Sequence, residues 1–273
     1  MRTQAQKTAA FRALHERKGA FIIPNPWDAG TARLLAQLGF EALATTSAGF
    51  AFSIGKRDNA VGRDAMLAHV TAIVEATGLP VNADLENGYG DSPASAAATF
   101  RSAVATGLAG GSIEDYTGRP DDPIYALEPA VERVRAVVEA VRETGSGFMV
   151  TARCENYLVG CPDLEDTIRR LQAYQEAGAD VLYAPGISSR EEIAAVVSSV
   201  DRPVNVVMGL QGVQLSLADL EKIGVKRVSV GSALSRAALG AFLRAAREMR
   251  ERGTFTFAAD AVSYRDISRM FPE

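Results

Sequence analysis

The chain has 273 residues, of which 47% are hydrophobic and 23% are charged, and its formal net charge is −4. This length and composition allow a substantial core, in one large α/β barrel or in two ordinary domains. The basic residues are spread along the sequence, which argues against a nucleic-acid-binding surface. No run is long and apolar enough to cross a membrane, and no secretory h-region follows the N-terminus, so we expect a cytoplasmic protein without a membrane partner.

An amphipathic helix is predicted over residues 3–18, ending at Gly19. After it, short apolar runs alternate with helical patterns. Strands are predicted at 20–24, 41–47, 79–86, 110–115, 148–155, 180–185, 203–208 and 227–232. Helices are predicted at 29–38, 64–76, 92–107, 127–143, 162–178, 189–197, 217–223 and 234–252, followed by a helical segment over 258–270. A long loop through Gly49, Gly55 and Gly62 is predicted after the second strand.

Eight strand–helix units in succession indicate an α/β fold, a single (β/α)8 TIM-type barrel. We expect one domain over 1–273, with an N-terminal helix within 1–19 and extra C-terminal helices within 233–273. The alternative is a doubly wound open sheet. That fold would normally show fewer strands and a phosphate-binding glycine signature, and neither is found in this sequence.

The third strand carries two carboxylates on one face. Side chains alternate along a strand, so Asp84 and Glu86 point together while Leu85 points to the opposite, apolar face. Burying two like charges is costly unless a cation or hydrogen-bond donors meet them. A divalent metal explains the pair, and the alternative is two solvated acids where the strand ends.

Polar residues gather where the predicted strands end, which in such barrels is where the chemistry takes place. These residues are Asp28, Thr46, Ser47, Asp58, Asp84, Glu86, Glu114, Asp115, Arg153, Glu155, Tyr183 and Asn205. By alternation Glu114 points inward, whereas Asp115 faces the helices and is as well explained by a structural hydrogen bond. Arg153 either forms a structural ion pair or holds a substrate carboxylate with its bidentate fork.

An all-oxygen acidic cluster selects a hard cation, Mg²⁺ or Mn²⁺. The two histidines, His15 and His69, fall on predicted helices, which argues against zinc and against a histidine base. Of the two cysteines, Cys154 lies on the face opposite Arg153, where a small buried apolar role is expected. Two cysteines are too few for a disulfide-stapled fold, and a single bridge between Cys154 and Cys161 remains open.

Five motifs between about residue 20 and residue 240 resemble the isocitrate lyase/phosphoenolpyruvate mutase superfamily. They are Thr45-Thr46-Ser47-Ala48-Gly49, Lys56-Arg57-Asp58-Asn59, Asp84-x-Glu86-x-Gly88-Tyr89-Gly90, Ser112-Ile113-Glu114-Asp115 and Ala152-Arg153-x-Glu155. The resemblance implies chemistry through the enolate of a 2-oxo acid, stabilised by a bound metal that acts as a Lewis acid.

The same resemblance implies roles for individual residues. Ser47, Ala48 and Gly49 would hold a substrate carboxylate, largely through backbone N–H groups. The metal, Mg²⁺ with Mn²⁺ as the alternative, would be held mostly through water by Asp58, Asp84, Glu86 and Glu114. The catalytic set would be Asp58, Glu114 and Arg153, and the further substrate contacts Trp27, Asp84, Arg153, Tyr183 and Asn205.

The chain departs from the superfamily pattern in the loop after the fourth strand, residues 116–125. This loop contains no Cys, Lys or His, so the proton donor of the lyases and the phosphoryl-handling lysine of the mutases are both absent from it. Tyr183 stands where the superfamily has a histidine, and Arg119 or Tyr183 could supply the proton.

Three functions remain open. The first is a Mg²⁺-dependent lyase that cleaves a C–C bond in a 2-oxo or 2-hydroxy carboxylate, either as an isocitrate or methylisocitrate lyase does or as an oxaloacetate decarboxylase does. The second is P–C bond chemistry, in a phosphoenolpyruvate phosphonomutase or a phosphonopyruvate hydrolase. The third is a catalytically silent binder of 2-oxo acids.

The resemblance also implies a homo-oligomer, a dimer or a tetramer that exchanges its last barrel helix between subunits. Apolar residues in 231–273, including Phe242, Phe255, Phe257 and Phe271, suit such an exchange and suit packing within one chain equally well.

Overall fold

The computed structural model describes residues 2–210 and 215–271. Its eight strands are β1 (Phe21–Ile23), β2 (Leu43–Ala44), β3 (Val81–Asp84), β4 (Gly110–Glu114), β5 (Met149–Arg153), β6 (Val181–Tyr183), β7 (Val204–Val207) and β8 (Arg227–Ser229). Neighbouring strands are parallel, in the order β1-β8-β7-β6-β5-β4-β3-β2. The backbone N–H of Ala44 donates to the carbonyl of Pro24 at 3.0 Å and so links the two ends of the sheet.

This nearly closed parallel sheet confirms the predicted (β/α)8 barrel. The helices are α1 (Gln4–Glu16), α2 (Ala29–Gln37), α3 (Ser47–Ser53), α4 (Arg63–Ala76), α5 (Pro93–Ala105), α6 (Leu127–Arg142), α7 (Leu164–Glu176), α8 (Arg190–Ser198), α9 (Leu217–Ile223), α10 (Ala233–Arg252) and α11 (Tyr264–Arg269), with a 3₁₀ turn at Thr256–Asp260. Residues 1, 211–214, 272 and 273 of the predicted domain lie outside the described residues, so its extent over 1–273 stays a prediction.

The region after β2 differs from the predicted loop. The segment Ser47–Ser53 forms α3, and strand β2 ends three residues before it. The hydroxyl of Thr46 accepts a hydrogen bond from the N–H of Gly49 at 3.2 Å and caps the helix. The glycines at 49, 55 and 62 predicted a loop, but this side-chain cap favours a short helix over 47–53, and only the stretch through Gly55 and Gly62 remains a loop.

Helix α1 closes the N-terminal end of the barrel. Phe11 of α1 is fully buried and packs with Phe21, Ile23 and Met149 at the barrel's base. An added Cβ at Gly110 of β4 would lie 3.0 Å from the Phe11 ring, so glycine is needed there for this close approach. The pocket described below therefore opens at the other end, where the strands finish.

Helix α10 leaves most of its apolar side chains uncovered. Phe242 is 66% exposed, and Leu239 and Leu243 are exposed as well. On the barrel, Ile22 of β1 points outward and is 37% exposed, although strand residues on that face are normally covered by helices. No described helix is long and apolar enough to span a membrane. Both cysteines are free, Cys154 buried and Cys161 exposed, so the described structure contains no bridge between them.

Candidate active site

A pocket with a volume of about 180 Å³ opens at the C-terminal ends of the strands. This is smaller than the roughly 300–1,000 Å³ of pockets for drug-sized ligands, so it suits a small molecule. Of the residues predicted from sequence, those that line it are Thr46, Ser47, Ala48, Asp58, Asp84, Arg153, Tyr183 and Asn205. Glu114 lines an adjoining pocket together with Asp58, Ser47 and Arg153. Trp27 and Gly49 line neither of these two pockets.

Arg153 stands at the centre of the predicted acidic residues. Its Nη1 donates to Oδ1 of Asp84 at 2.8 Å, its Nη2 lies 3.2 Å from Oε2 of Glu114, and its Nε donates to Oε1 of Glu155 at 2.8 Å. The ring of Tyr183 lies 5.2 Å from its guanidinium carbon, in cation–π contact. Arg153 therefore forms structural ion pairs, as one of the two interpretations predicted. Its role as a substrate clamp stays a prediction.

Asp84 connects this cluster to the start of α3. Its Oδ2 accepts a hydrogen bond from the backbone N–H of Ser47 at 3.2 Å, while its Oδ1 accepts from Arg153. The N–H of Gly49 is taken by the hydroxyl of Thr46. Two of the three backbone donors predicted to hold a substrate carboxylate thus have internal partners in this structure.

Gly49 and Trp27 pack against each other behind the residues that line the pocket. An added Cβ at Gly49 would lie 2.6 Å from Cγ2 of Thr46 and 3.1 Å from Cβ of Trp27. Glycine is therefore required for close packing of α3 against the loop after β1. Trp27 packs against the start of α3, and its predicted contact with substrate stays a prediction.

Glu86 is not part of β3. The strand ends at Asp84, and Glu86 has a φ of 49°, in the left-handed region that non-glycine residues rarely adopt. Tyr89 follows with a φ of 59°, so the turn is strained at two positions. Glu86 is nonetheless buried beside the cluster, and its Oε1 has no hydrogen-bond partner in the described part of the chain.

The cluster carries more negative than positive charge. Burial, followed by the charges of Asp84 and Asp58, raises the pKa of Glu86 to about 8. Burial raises the pKa of Glu155 to about 7 against the opposing effect of Arg153, and it raises the pKa of Glu114 in the same way. These acids can accept either protons or a cation.

Asp58 stands at the rim of the pocket. Much of the residue is exposed, but its carboxyl faces inward, where burial and the charge of Asp84 raise its pKa. The hydroxyl of Ser47 opposes that rise by hydrogen bonding to the carboxylate.

A divalent cation fits this donor set when it is held largely through water. Within residues 2–210 and 215–271, no three Asp, Glu, His or Cys side chains converge tightly enough to bind one ion directly. Mg²⁺ commonly binds through one or two carboxylates and keeps several waters. The unpartnered Oε1 of Glu86 and the raised pKa values of its neighbours suit that arrangement. Both histidines are buried elsewhere, His15 against Phe11 and His69 stacked on Phe50.

Asp115 has a structural role. Its carboxylate accepts hydrogen bonds from the N–H of Glu155 at 2.8 Å and the hydroxyl of Tyr174 at 2.6 Å, and it pairs with Arg170 at 3.3 Å. It therefore faces the helices, as alternation along β4 predicts.

The loop after β4 is fastened to the surface. Arg119 pairs with Asp91 at 3.2 Å and with Asp122 at 3.1 Å, and the side chain of Tyr125 donates to Asp91. Arg119 is thus committed to exposed acids, whereas Tyr183 lines the pocket. Burial raises the pKa of Tyr183 to about 12, so its hydroxyl stays protonated at neutral pH. Of the two candidate proton donors, Tyr183 lines the pocket and Arg119 does not, and the donor's identity stays a prediction.

Sequence reasoning missed several pocket residues. They are Asn25, Asn82, Ser112, Arg227 and Ser229. Asn25 joins three strands, because its Nδ2 donates to the carbonyl of Thr45 and its Oδ1 accepts from the N–H of Val230. The alternation of Arg227 and Ser229 along β8 was a usable signal for two residues on its inner face.

Comparison with known proteins agrees with the barrel fold. Residues 11–250 match the family described as phosphoenolpyruvate phosphomutase. The crystal structure of a protein from Burkholderia cenocepacia J2315 described as a lyase/mutase is 66% identical, with a TM-score of 0.96 over 97% of this chain and 96% of that one. The 2-methylisocitrate lyase of Escherichia coli strain K12 is 31% identical over 71% of this chain and 67% of its own length. The oxaloacetate decarboxylase of Pseudomonas aeruginosa strain LESB58 is 28% identical over 97% of this chain and 92% of its own.

Proposed function

Because the chain belongs to the phosphoenolpyruvate phosphomutase family, within the superfamily that also holds the isocitrate lyases, we propose that it is a divalent-metal-dependent lyase that cleaves a C–C bond in a small 2-oxo or 2-hydroxy carboxylic acid. The chain is an enzyme of that superfamily, whose named members include lyases, decarboxylases and mutases. The observation that carries the proposal is the buried acidic cluster at the edge of a small pocket, below a loop whose only cation is paired with surface acids.

Asp84, Glu86, Glu114 and Asp58 would hold Mg²⁺ or Mn²⁺ largely through water, and the ion would supply Lewis acidity at the 2-oxo or 2-hydroxy end of the substrate. Arg153 is fixed in place by three carboxylates, so its remaining N–H groups present a rigid surface to the pocket. Tyr183 keeps its proton at neutral pH and lines the same pocket, so it can donate that proton to the carbon that keeps the electron pair of the broken C–C bond. Asp58, which lines the rim of the pocket, would take a proton from a substrate hydroxyl.

The test is a substrate panel followed by ¹H and ³¹P NMR, with and without Mg²⁺. The panel contains oxaloacetate, isocitrate, methylisocitrate, phosphonopyruvate and phosphoenolpyruvate. A C–C cleavage product that appears only with metal supports the proposal. Asp84→Asn should abolish that product, whereas Asp64→Asn, which changes an exposed acid of α4, should not. Metal-dependent turnover that survives in Asp84→Asn would contradict it, and so would binding without turnover of any acid.

The family match also favours a second candidate, P–C bond chemistry on a phosphonopyruvate-like substrate. Its weakness is the loop after β4, which has no lysine and whose Arg119 is paired with Asp91 and Asp122. A new ³¹P signal from phosphoenolpyruvate or phosphonopyruvate would establish this chemistry in place of the lyase.

We further propose that the chain forms a homo-oligomer, a dimer or tetramer, in which α10 of one copy covers the barrel of another. The exposed Phe242 of α10 and the outward-facing Ile22 of β1 supply complementary apolar surface. Light scattering should give at least a dimer for the wild type and a smaller species for Phe242→Asp. A wild-type monomer at micromolar concentration would refute the proposal.

A further inference from the structure

A second buried cation lies below the acidic cluster, inside the barrel. Arg227 begins β8, is only 3% exposed and lines the pocket. Its Nε donates to Oδ1 of Asn205 at 2.8 Å, and its Nη2 donates to Oγ1 of Thr151 at 3.1 Å. In the described part of the chain no carboxylate lies within ion-pairing distance of it, in contrast to Arg153 with its three.

His15, the third neighbour, does not compensate this charge. Its Nδ1 lies 2.8 Å from the carbonyl of Phe11 and so carries the proton, which leaves Nε2 as an acceptor 3.5 Å from Nη1 of Arg227. Burial and the charge of Arg227 lower the pKa of His15 to about 3, so the ring is neutral at neutral pH. Burial lowers the pKa of Arg227 itself to about 9, which leaves it a cation surrounded by neutral groups.

Arg227 has hydrogen-bonding capacity to spare. A guanidinium carries five N–H groups, and within the described residues three of them have partners. The remaining two belong to Nη1 and Nη2, the pair that binds a carboxylate in fork geometry. A buried cation with neutral partners and unused donors is costly unless an anion meets it.

The pocket reaches Arg227 because the barrel interior is small and polar here. TIM barrels normally fill their interior with bulky branched side chains. This barrel has Asn82, Ser112 and Ser229 at the pocket lining, and α1 closes the base beneath them. The backbone positions Arg153, Tyr183, Asn205 and Arg227 are successive partners across β5 to β8. Arg153 and Arg227 therefore line one cavity from strands β5 and β8, which are separated by β6 and β7.

We propose that Arg227 binds a second carboxylate of the substrate, so that the site takes 2-oxo or 2-hydroxy dicarboxylates in preference to monocarboxylates. The proposal rests on the proposed function for the reacting end of the molecule, which is held near Asp84 and Arg153. Arg227 then determines what the other end must carry. An acid that has a methyl group in place of the second carboxylate leaves Arg227 without an anionic partner and therefore binds more weakly.

The experiment compares two probes of matched shape, malate and 2-hydroxybutanoate, by isothermal titration calorimetry in saturating MgCl₂. The second probe has a methyl group where malate has its distal carboxylate. A charge-assisted hydrogen bond contributes enough for malate to bind the wild type about tenfold or more tightly than 2-hydroxybutanoate. In Arg227→Met the ratio should fall to near one, while Arg227→Lys should retain part of it. Oxalate has two adjacent carboxylates, which occupy only the reacting end of the site, so it should bind the wild type and Arg227→Met equally.

Arg101→Met is the control, because it removes an exposed arginine of α5 that pairs with Glu143 at the surface. It should leave the malate preference unchanged. Equal binding of the two probes by the wild type would overturn the proposal, and this measurement does not depend on any variant folding. A malate preference that survives in Arg227→Met would overturn it too, because a purely structural arginine would lower stability without changing that ratio.

The outcome is separable from the proposed function. If no acid is cleaved but the preference for malate is lost in Arg227→Met, Arg227 binds the carboxylate and the lyase proposal fails. If a C–C bond is cleaved and the probes still bind Arg227→Met with the wild-type ratio, the lyase proposal stands and the assignment of Arg227 fails.

Discussion

Replacing Glu86 with glutamine should stabilise the metal-free protein, and the gain should increase with pH. Glu86 is buried with Oε1 unpartnered, and burial together with Asp84 and Asp58 raises its pKa from 4.5 to about 8. A carboxyl whose pKa is raised on folding favours the folded state when protonated and opposes it when ionised. The wild type should therefore lose stability as the pH rises from about 5 to 8, and Glu86→Gln should lack this contribution.

The size of the effect follows from the shift. A rise from 4.5 to about 8 corresponds to about 5 kcal/mol of preference for the protonated form, with a slope of at most about 1.4 kcal/mol per pH unit. Near pH 7 we expect Glu86→Gln to gain about 3 kcal/mol over the wild type, less what the new amide loses by lacking partners of its own. Near pH 5 the difference should be below about 1 kcal/mol.

Urea unfolding of both proteins in chelator, at pH 5, 6, 7 and 8, measures this difference. Glu139→Gln, which changes an exposed acid in the last turn of α6, serves as the control, and its stability should follow the same pH dependence as the wild type. Added Mg²⁺ should stabilise the wild type more than Glu86→Gln, because a ligand that binds only the folded state adds to its stability. A pH-independent difference, or a variant that loses stability relative to wild type as pH rises, would refute the reasoning.

Three further changes test separate parts of the structure. Tyr183→Phe should lower kcat by about 10²–10⁴-fold with an unchanged circular dichroism spectrum if this hydroxyl donates the proton, and wild-type kcat would exclude it. Asp115→Leu should cost about 3–5 kcal/mol in urea unfolding, since it leaves Arg170 and the N–H of Glu155 without their buried acceptor. Gly49→Ala should cost about 1–3 kcal/mol, because its Cβ would meet Thr46 at 2.6 Å; a melting temperature equal to the wild type's would show that α3 can shift.

The barrel was predictable because its signals are local. Each strand is a short apolar run between turn residues, and Ser92 followed by Pro93 marks the start of α5 as the structure has it. Helix α3 was missed for an equally local reason. Gly49 within it and Gly55 and Gly62 after it suggest a loop, whereas a hydrogen bond from the N–H of Gly49 to the hydroxyl of Thr46 caps a short helix.

For the site, the sequence predicted the direction of side chains along a single strand, but not the contacts between residues of different strands. The inward direction of Glu114 and the outward direction of Asp115 follow from period two. Arg153 was ambiguous because its partners come from separate strands, with Asp84 lying 69 positions earlier in the chain. Glu86 was assigned to the strand face with Asp84, but the chain turns through a positive φ at Glu86 itself. Asn87-Gly88 indicates a turn just after this position, but not that the turn begins one residue earlier.

In this barrel, the outward-facing strand residues form the apolar core, and the inward-facing residues of the same strands line the pocket. On β4, Ile113 points outward and is fully buried with Leu85, Phe100 and Val134 in the layer between sheet and helices. Its neighbour Ser112 points inward and lines the pocket. Because the outer layer carries the apolar burial, the interior need not be filled with branched side chains. That division leaves room inside the barrel for polar groups and for Arg227, which has no acid partner among the described residues.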